Sequence, residues 1–435
     1  MNSGLTADGK SIMPSSYVLN SITLVNHKDE AMDIQHLITE FSIKESIYSP
    51  TLVASFSVKD SINAFEFLNI VGQEKIVVDL AKTDEDNKKS FQHAFYITEY
   101  PLYSKIKNDQ LQVYTFSAIS EHAYISNLKK ISRAYAGNTA ETIEKILVKD
   151  CKVLEEKVVK NEASTSARGV YPYQSPFKTI QDLLAITSDE VQSPFYLFQT
   201  LTGKVNIHSL AHLLKQEPYQ KFTKAKEYTS APLTKEDYIE RQTKILNITS
   251  DLKLGTLFQM KKGAYASENN SLDVANKVYT KKDYSYNTDF RAHTPNNLSS
   301  TFQIDNQSLE TYSKAYCEHI STNSFAFNED PHPSYNTERK TNGHLLTAHH
   351  ELLDTITHDI SVYGDLDLTA GTMIELVLPK AISPEDQKGT TGEEGQVDEF
   401  LSGKYLITST KHSFENGKYF ITARVKKDTL NYENG

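Results

Sequence analysis

Apolar and polar residues alternate with a period of two from Tyr17 to about Ser120 and again from Leu345 to Lys427. The sharpest case is Phe400–Leu430. There Asn416-Gly417 separates two β-rich runs, and both residues tolerate the positive φ of a type I′ hairpin turn. With that pair as the loop, Phe414 faces Tyr419, His412 faces Ile421, Thr410 faces Ala423 and Thr408 faces Val425, which gives one apolar stripe. The other face carries Ser409, Lys411, Ser413, Thr422, Arg424 and Lys426. A one-residue slip would turn the stripe into solvent, so the register is well specified. An ordinary solvated sheet face accounts for the charged side; so does a surface made for a charged partner.

The first block repeats the pattern. Residues 37–47 alternate from Phe41 onward, and Ser49-Pro50 turns the chain. Leu52, Ala54, Phe56 and Val58 then share one face, with Ser55, Ser57 and Lys59 on the other. Further strands are expected at Lys75–Leu80, Phe91–Tyr100 and Leu111–Ala118, so this block reads as an antiparallel sandwich or barrel. After Glu121 the character changes. Asn138-Thr-Ala-Glu141 has the spacing of a helix cap followed by a carboxylate. Asn161–Gly169 reads as a loop, and Ser175-Pro176 opens a helix with apolar Phe177, Ile180, Leu183 and Leu184. Strands follow at Pro194–Gln199 and Lys204–His208. Residues 221–335 are the least periodic. A helix is expected within Glu236–Ile245, one or two strands within Asn247–Met260, and a helix over Ser308–Ile320. Asn269-Asn270, Asn296-Asn297 and Asn306 mark long loops, which in a compact protein are functional or ordered by a partner. Strands return at Ala348–Ile356, Thr357–Tyr363 and Met373–Leu378, and Ser383–Glu399 is a flexible polar loop.

The fold class is therefore mainly β with α+β: two antiparallel β-barrels joined by an α+β middle region. The expected divisions are a flexible N-terminal arm (1–16), a first barrel (17–121), an α+β middle domain (122–220), a polar, loop-rich connecting domain (221–340), and a second barrel with the C-terminal hairpin (341–435). A chain of 435 residues is too long for one small core, which agrees with several domains.

Net charge is −10, from 46 basic and 56 acidic residues, which argues against a general nucleic-acid binder. It is compatible with a surface along which nucleic acid slides, since a repulsive wall avoids sticking. Two cysteines, Cys151 and Cys317, make no disulfide framework and fit assembly in a reducing cytosol. No signal peptide is visible, and no stretch is apolar enough to span a bilayer, so no membrane anchoring is expected. The 25 Tyr and 19 Phe suit half-buried strands.

Catalytic signatures are absent. His349-His350-Glu351 with His344 and His358 forms the one histidine cluster. A zinc-protease helix needs His-Glu-x-x-His, and here Asp354 stands where the second histidine belongs. No phosphate-cradling glycine loop, dinucleotide fingerprint or nucleophile elbow occurs. The acid pairs Glu393-Glu394 and Asp398-Glu399 lie in a polar loop, whereas a glycosidase holds one carboxyl in an apolar pocket. No catalytic, cofactor or metal residue is assigned, no cofactor is expected, and the chain is not read as an enzyme.

Three segments together carry a resemblance. The first is Phe41–Asp60, followed by Ile70–Ile76. The second is Ser175–Leu184, then Phe195–Phe198, Gly203 and His208–Tyr219. The third is Ser402–Thr408 with its hairpin to Lys427. In order and spacing they resemble the baseplate central hub protein of T4-like contractile-tailed phages, related to the hub domain of VgrG spikes and to phage late control D proteins. The resemblance spans residues 38 to 430; the polar 265–335 region and the Pro384–Glu399 loop depart from the pattern. It implies that the two barrels are tube domains. It further implies a homotrimer whose six barrels make a ring adapting the six-fold tail tube to the three-fold central spike. The partners implied are a separate spike chain, tail tube or tube-initiator proteins and the surrounding baseplate wedge. Genomic DNA would only pass through the lumen. The place of action would be the virion tail baseplate, assembled in the host cytoplasm. A hub of a cellular, type VI-like contractile injection system is the alternative, and a wall-degrading tail enzyme a weaker one. From Lys404 to Lys427 six basic residues face one acid, Glu415, in an acidic chain. Lys411, Arg424 and Lys426 are accordingly the candidate subunit-interface residues, set to meet an acidic patch.

Overall fold

The computed structural model describes residues 17–82, 89–106, 111–224, 241–253, 256–273, 277–290, 303–308, 316–322, 348–380, 397–398, 400–415 and 417–427. The expected N-terminal arm, most of the 383–399 loop, Asn296-Asn297, His344 and Asn416 lie outside the described residues.

The first block contributes β1 (Val18–Val25), β2 (Ala31–Asp33), β3 (Ile38–Ser46), β4 (Val53–Asp60), β5 (Lys75–Lys82), β6 (Lys89–Ile106) and β7 (Leu111–Ser120). They pair antiparallel in the order β2-β1-β5-β6-β7-β4-β3. The alternation works as expected: Leu52, Ala54, Phe56 and Val58 all face the core, while Val53, Ser55 and Lys59 face water. Between β1 and β3 the wall is spanned by the 3-10 turn Gln35–Leu37. That turn is tied down where Ile34 N–H donates to the Ile22 carbonyl and Gln35 Nε2 donates to the Leu19 carbonyl.

The middle region holds β8 (Ile131–Asn138), β9 (Val158–Lys160), β10 (Ser166–Gln174), β11 (Phe195–Gln199) and β12 (Val205–Ser209). Its helices include Thr139–Lys149 and Pro176–Leu184. Asn138 caps the first of these as the spacing predicts: its Oδ1 accepts from Ala140 N–H and Glu141 N–H. Ile143, Ile146, Leu147, Ile180 and Leu183 pack with Leu197 and Ile207 into a separate core. The loop expected over Asn161–Gly169 gives way to a strand from Ser166 onward, because Ala167, Gly169 and Tyr171 alternate inward against β8.

Two further strands, β13 (Lys221–Lys224) and β14 (Lys244–Leu252), precede a small sheet of β15 (Ala266–Asp273), β16 (Val278–Ser285) and β19 (Tyr316–Thr322). β17 (Gln303–Ile304) and β18 (Gln307–Ser308) form a minimal hairpin around Asp305-Asn306, both at positive φ, as befits a turn. Of the helix expected over Ser308–Ile320, residues 309–315 lie outside the described residues, and Tyr316–Thr322 is a strand parallel to β15, where a ladder partner outweighs local propensity. Asn269-Asn270, expected in a loop, lie buried on β15 instead.

The last block supplies β20 (Ile356–Tyr363), β21 (Met373–Val377), β22 (Gly403–Glu415) and β23 (Lys418–Lys427). Residues 348–353, expected as a strand, are helical, which places Ala348, Leu352 and Leu353 on a buried face. Six strands close into a barrel in the cyclic order β22-β21-β13-β14-β20-β23. Two of its strands come from the 221–252 stretch, within the connecting region expected from the sequence. β22 also pairs with β3, so barrel and first block share a thirteen-strand sheet and one core. Among the described residues, no helix is long and apolar enough to cross a membrane.

Candidate functional site: the junction of the two β blocks

The hairpin forms in the expected register near its tip. Phe414 pairs with Tyr419, His412 with Ile421 and Thr410 with Ala423, and Gly417 takes φ 75° in the turn. The register then shifts between Ile407 and Ser409, so Ile407 rather than Thr408 faces Val425. The extra residue is a β-bulge, which alternation alone does not announce. Phe414, Tyr419, Ile421, Ala423 and Val425 are all buried.

The hairpin's aromatic pair continues into the first block. Tyr419 stacks on Phe414 (centroids 4.4 Å apart), Phe414 on Phe41 (4.3 Å), Phe41 on Phe56 (5.8 Å) and Phe56 on Phe116 (5.1 Å). Each ring is the direct cross-strand partner of the next, on β23, β22, β3, β4 and β7. A buried ladder of five aromatic rings thus runs across the seam. Stacked aromatic pairs add about 0.5–1.5 kcal/mol each beyond their burial. Beside the middle of the ladder, a cleft of about 170 Å³ opens between Tyr17, Leu19, Ile38, Phe41 and Phe414.

Beside the ladder sits a buried polar knot. Glu45 on β3 has its carboxylate fully enclosed. Oε1 accepts from Leu201 N–H at 2.8 Å and Oε2 from Ala370 N–H at 2.9 Å. His412 Nε2 donates to Oε1 at 3.1 Å, and Tyr419 O–H donates to Nδ1 of the same ring at 2.8 Å. Burial pushes the Tyr419 hydroxyl well above its usual range, which keeps it a donor. Leu201 belongs to the middle region, Ala370 to the loop before β21, and Glu45 to the first block. One carboxylate therefore holds three parts of the chain.

The middle region is fastened around the same point. His93 Nε2 lies 2.5 Å from the Leu201 carbonyl, and Gln199 Oε1 accepts from Ser120 Oγ at 2.5 Å and Leu52 N–H at 3.3 Å. On the barrel side, Gln216 Nε2 donates to the Gly371 carbonyl at 3.1 Å. Gly371 sits at φ 86°, and a Cβ there would come within 2.6 Å of the Phe198 ring, so only glycine fits.

The expected interface residues fall in different surroundings. Lys411 is exposed and lies in register with Lys44 of β3, also exposed. Arg424 is exposed but makes a bidentate pair with Asp359 of β20, at 2.8 and 2.9 Å. That guanidinium holds the Asp359 carboxyl below its usual range. Lys426, expected to face water, is 9% exposed, pairs with Asp354 and lies over the Tyr48 ring. Alternation along β23 is unbroken, and Lys426 stays on the face of Arg424, where Tyr48 and Asp354 cover it. Lys427 is also buried, with Nζ donating to the Ser402 carbonyl at 2.9 Å.

The histidine cluster is dispersed. His350 Nδ1 lies 3.0 Å from Tyr196 Oη, and Glu351 pairs with Lys262. His358, on β20, lies between Ser250 Oγ and Tyr405 Oη, and burial first, then the Lys427 charge, lowers it to about 4. Cys151 is buried, and burial pushes its thiol up to about 12. No group of three His, Cys, Asp or Glu that could hold a metal occurs among the described residues. The carboxylate knot was not legible in the sequence: Glu45 and His412 sit on strands that alternate normally, and only their inward direction marks them.

A closed barrel fused strand to strand with a second antiparallel block, and clamped by a middle α/β region, is a fold found in phage tail proteins. The tail protein from Neisseria meningitidis MC58 superposes with a TM-score of 0.53 over 95% of this chain and 97% of its own, at 9% identity. The 43 kDa tail protein of prophage MuSo2 from Shewanella oneidensis gives 0.53 over 95% and 100%, at 12% identity. No family model and no curated protein sequence matches the chain.

Proposed function

We propose that this chain is a structural hub of a contractile phage tail. It acts as a homotrimer whose barrels ring a channel between the six-fold tail tube and the three-fold spike. The observation that supports this most is the fold shared with two tail proteins over nearly their whole lengths. The continuous sheet and aromatic ladder agree with it, because a ring element that carries load needs its two β blocks to move as one. In this reading the chain is not an enzyme, DNA only passes through, and the spike, tube and baseplate wedge are its neighbours. Net charge −10 suits a channel wall that does not retain DNA. Lys411 with neighbouring Lys44, and the exposed Arg424, form the subunit contact. Lys426 contributes from its pair with Asp354.

The test is the mass of the purified chain, alone and with the product of its neighbouring spike gene, by light scattering. A trimer of about 147 kDa, three times 49.1 kDa, is expected in at least one condition. Monomer in both would overturn the reading. Reversal of Lys44 and Lys411 to glutamate should weaken the trimer while circular dichroism stays unchanged.

A further inference from the structure

The outer face of the seam carries its charges in rows. β3 and β22 pair there as Glu40 with Glu415, Ser42 with Ser413, Lys44 with Lys411 and Ser46 with Ser409. These side chains alternate with buried ones on both strands, and the glutamates and lysines are exposed. A row of two carboxylates is thus followed, past one pair of serines, by a row of two ammonium groups. The rows lie four residues apart and are the same kind of cross-strand pair. Carboxylates and ammonium groups therefore have the same lateral spacing, about 4.5–5.5 Å between Cβ atoms.

The columns on either side are mostly uncharged: Ser57, Ser55 and Val53 on β4, and Phe420 and Thr422 on β23. Lys418 stands beside Glu415, and Lys59 lies past the glutamate row on β4. Arg424, held by Asp359, lies beyond the lysine row. Ser57 Oγ donates to Glu40 at 2.9 Å. Within one copy the two rows do not meet. Four residues of strand span about 13 Å, beyond the ~8 Å over which exposed charges interact at physiological ionic strength. Like charges directly opposite each other on a sheet are unfavourable, and a surface offering the opposite charge at the same spacing relieves them. A second copy of this face supplies carboxylates at the spacing of the lysines and ammonium groups at the spacing of the glutamates. The serines between the rows leave no bulk to hold two such faces apart.

We propose that the lysine row of one copy, Lys44 and Lys411, docks on the glutamate row, Glu40 and Glu415, of another copy of this chain. The match of both sign and spacing selects that row as the partner surface. This rests on the reading that subunits meet through Lys44 and Lys411, and it names the acidic surface they meet. Because every copy carries both rows, the contact passes from copy to copy.

The test is light scattering on the full chain over a range of concentrations, alone and with the spike gene product. Lys44→Glu with Lys411→Glu, and separately Glu40→Lys with Glu415→Lys, should each raise the apparent dissociation constant about tenfold or more, with circular dichroism unchanged. The neutral versions, Lys44→Gln with Lys411→Gln and Glu40→Gln with Glu415→Gln, should weaken association less and in the same direction. All four charge reversals together exchange the two rows and should restore the wild-type constant. Added salt should weaken association of the wild type and of the exchanged chain alike. Weakening by the lysine reversal alone, or no recovery in the exchanged chain, would overturn the proposal and leave Lys44 and Lys411 as a subunit contact with another surface. No weakening by either reversal would overturn both. Association that follows the exchanges, with a number of copies other than three, would uphold this contact and overturn the ring of three.

Discussion

Glu45→Ala tests whether one carboxylate joins the three parts of the chain. The substitution removes both acceptors from Leu201 N–H and Ala370 N–H, whose residues are 0% and 2% exposed. It also takes one of two oxygens from His412 Nε2, leaving Thr410 Oγ1 at 3.2 Å. A buried donor left without an acceptor costs about 1–3 kcal/mol, and two backbone N–H groups are left so here. The cavity left by the side chain adds to this. At about 2–4 °C per kcal/mol, the melting temperature of the unit containing the junction should fall on the order of 10 °C. Glu45→Gln should cost less, about 1–3 kcal/mol, because the amide oxygen serves one side while its NH₂ opposes the other N–H. The control is Glu40→Ala, on the same strand but exposed, with an expected effect within about 0.5 kcal/mol. Thermal unfolding followed by circular dichroism, with limited trypsin digestion to report loosening of the middle region, reads the result. A Glu45→Ala protein that melts within about 2 °C of the wild type would refute the reasoning.

Phe414→Ala interrupts the ladder at the seam and should cost about 3–5 kcal/mol, measured by urea unfolding; a loss below ~1 kcal/mol would mean the stack adds little. Val425→Asp buries an unpaired carboxylate in the closed barrel and should leave the protein insoluble or unfolded by circular dichroism. Burial lowers His208 and His358 to about 4, whereas in the unfolded chain they titrate near 6.5. The unfolded state therefore binds protons first: this stability is complete above about pH 6.5 and is lost as pH falls toward 4. The melting temperature should drop across that window, and His208→Gln with His358→Gln should flatten the slope; an unchanged slope would exclude these two rings as the cause.

The period-two pattern determined a great deal by itself. It located β3 to β7 and β20 to β23, because a half-buried strand must alternate. It set the hairpin register at the tip, since Phe414 and Tyr419 could not face water. It also marked the Asn138 cap, a signal contained within four consecutive residues. What it could not decide was long-range. The β-bulge after Ile407 depends on how β22 divides its length between β3, β21 and β23, and Lys426 is buried only because Tyr48 and Asp354 come to lie over its face. Tyr316–Thr322 became a strand because β15 offered a ladder, and 348–353 became a helix because two cores lay beside it. Phe41, Phe56 and Phe116 are unremarkable inward residues until β3 meets β22 and lines them up with Phe414. The same holds for Glu45. Its charge is tolerated in the core only because folding brings Leu201, Ala370 and His412 to it from over 150 residues away. Local sequence specifies which way a side chain points; which partners it meets there is set by the closure of the sheet.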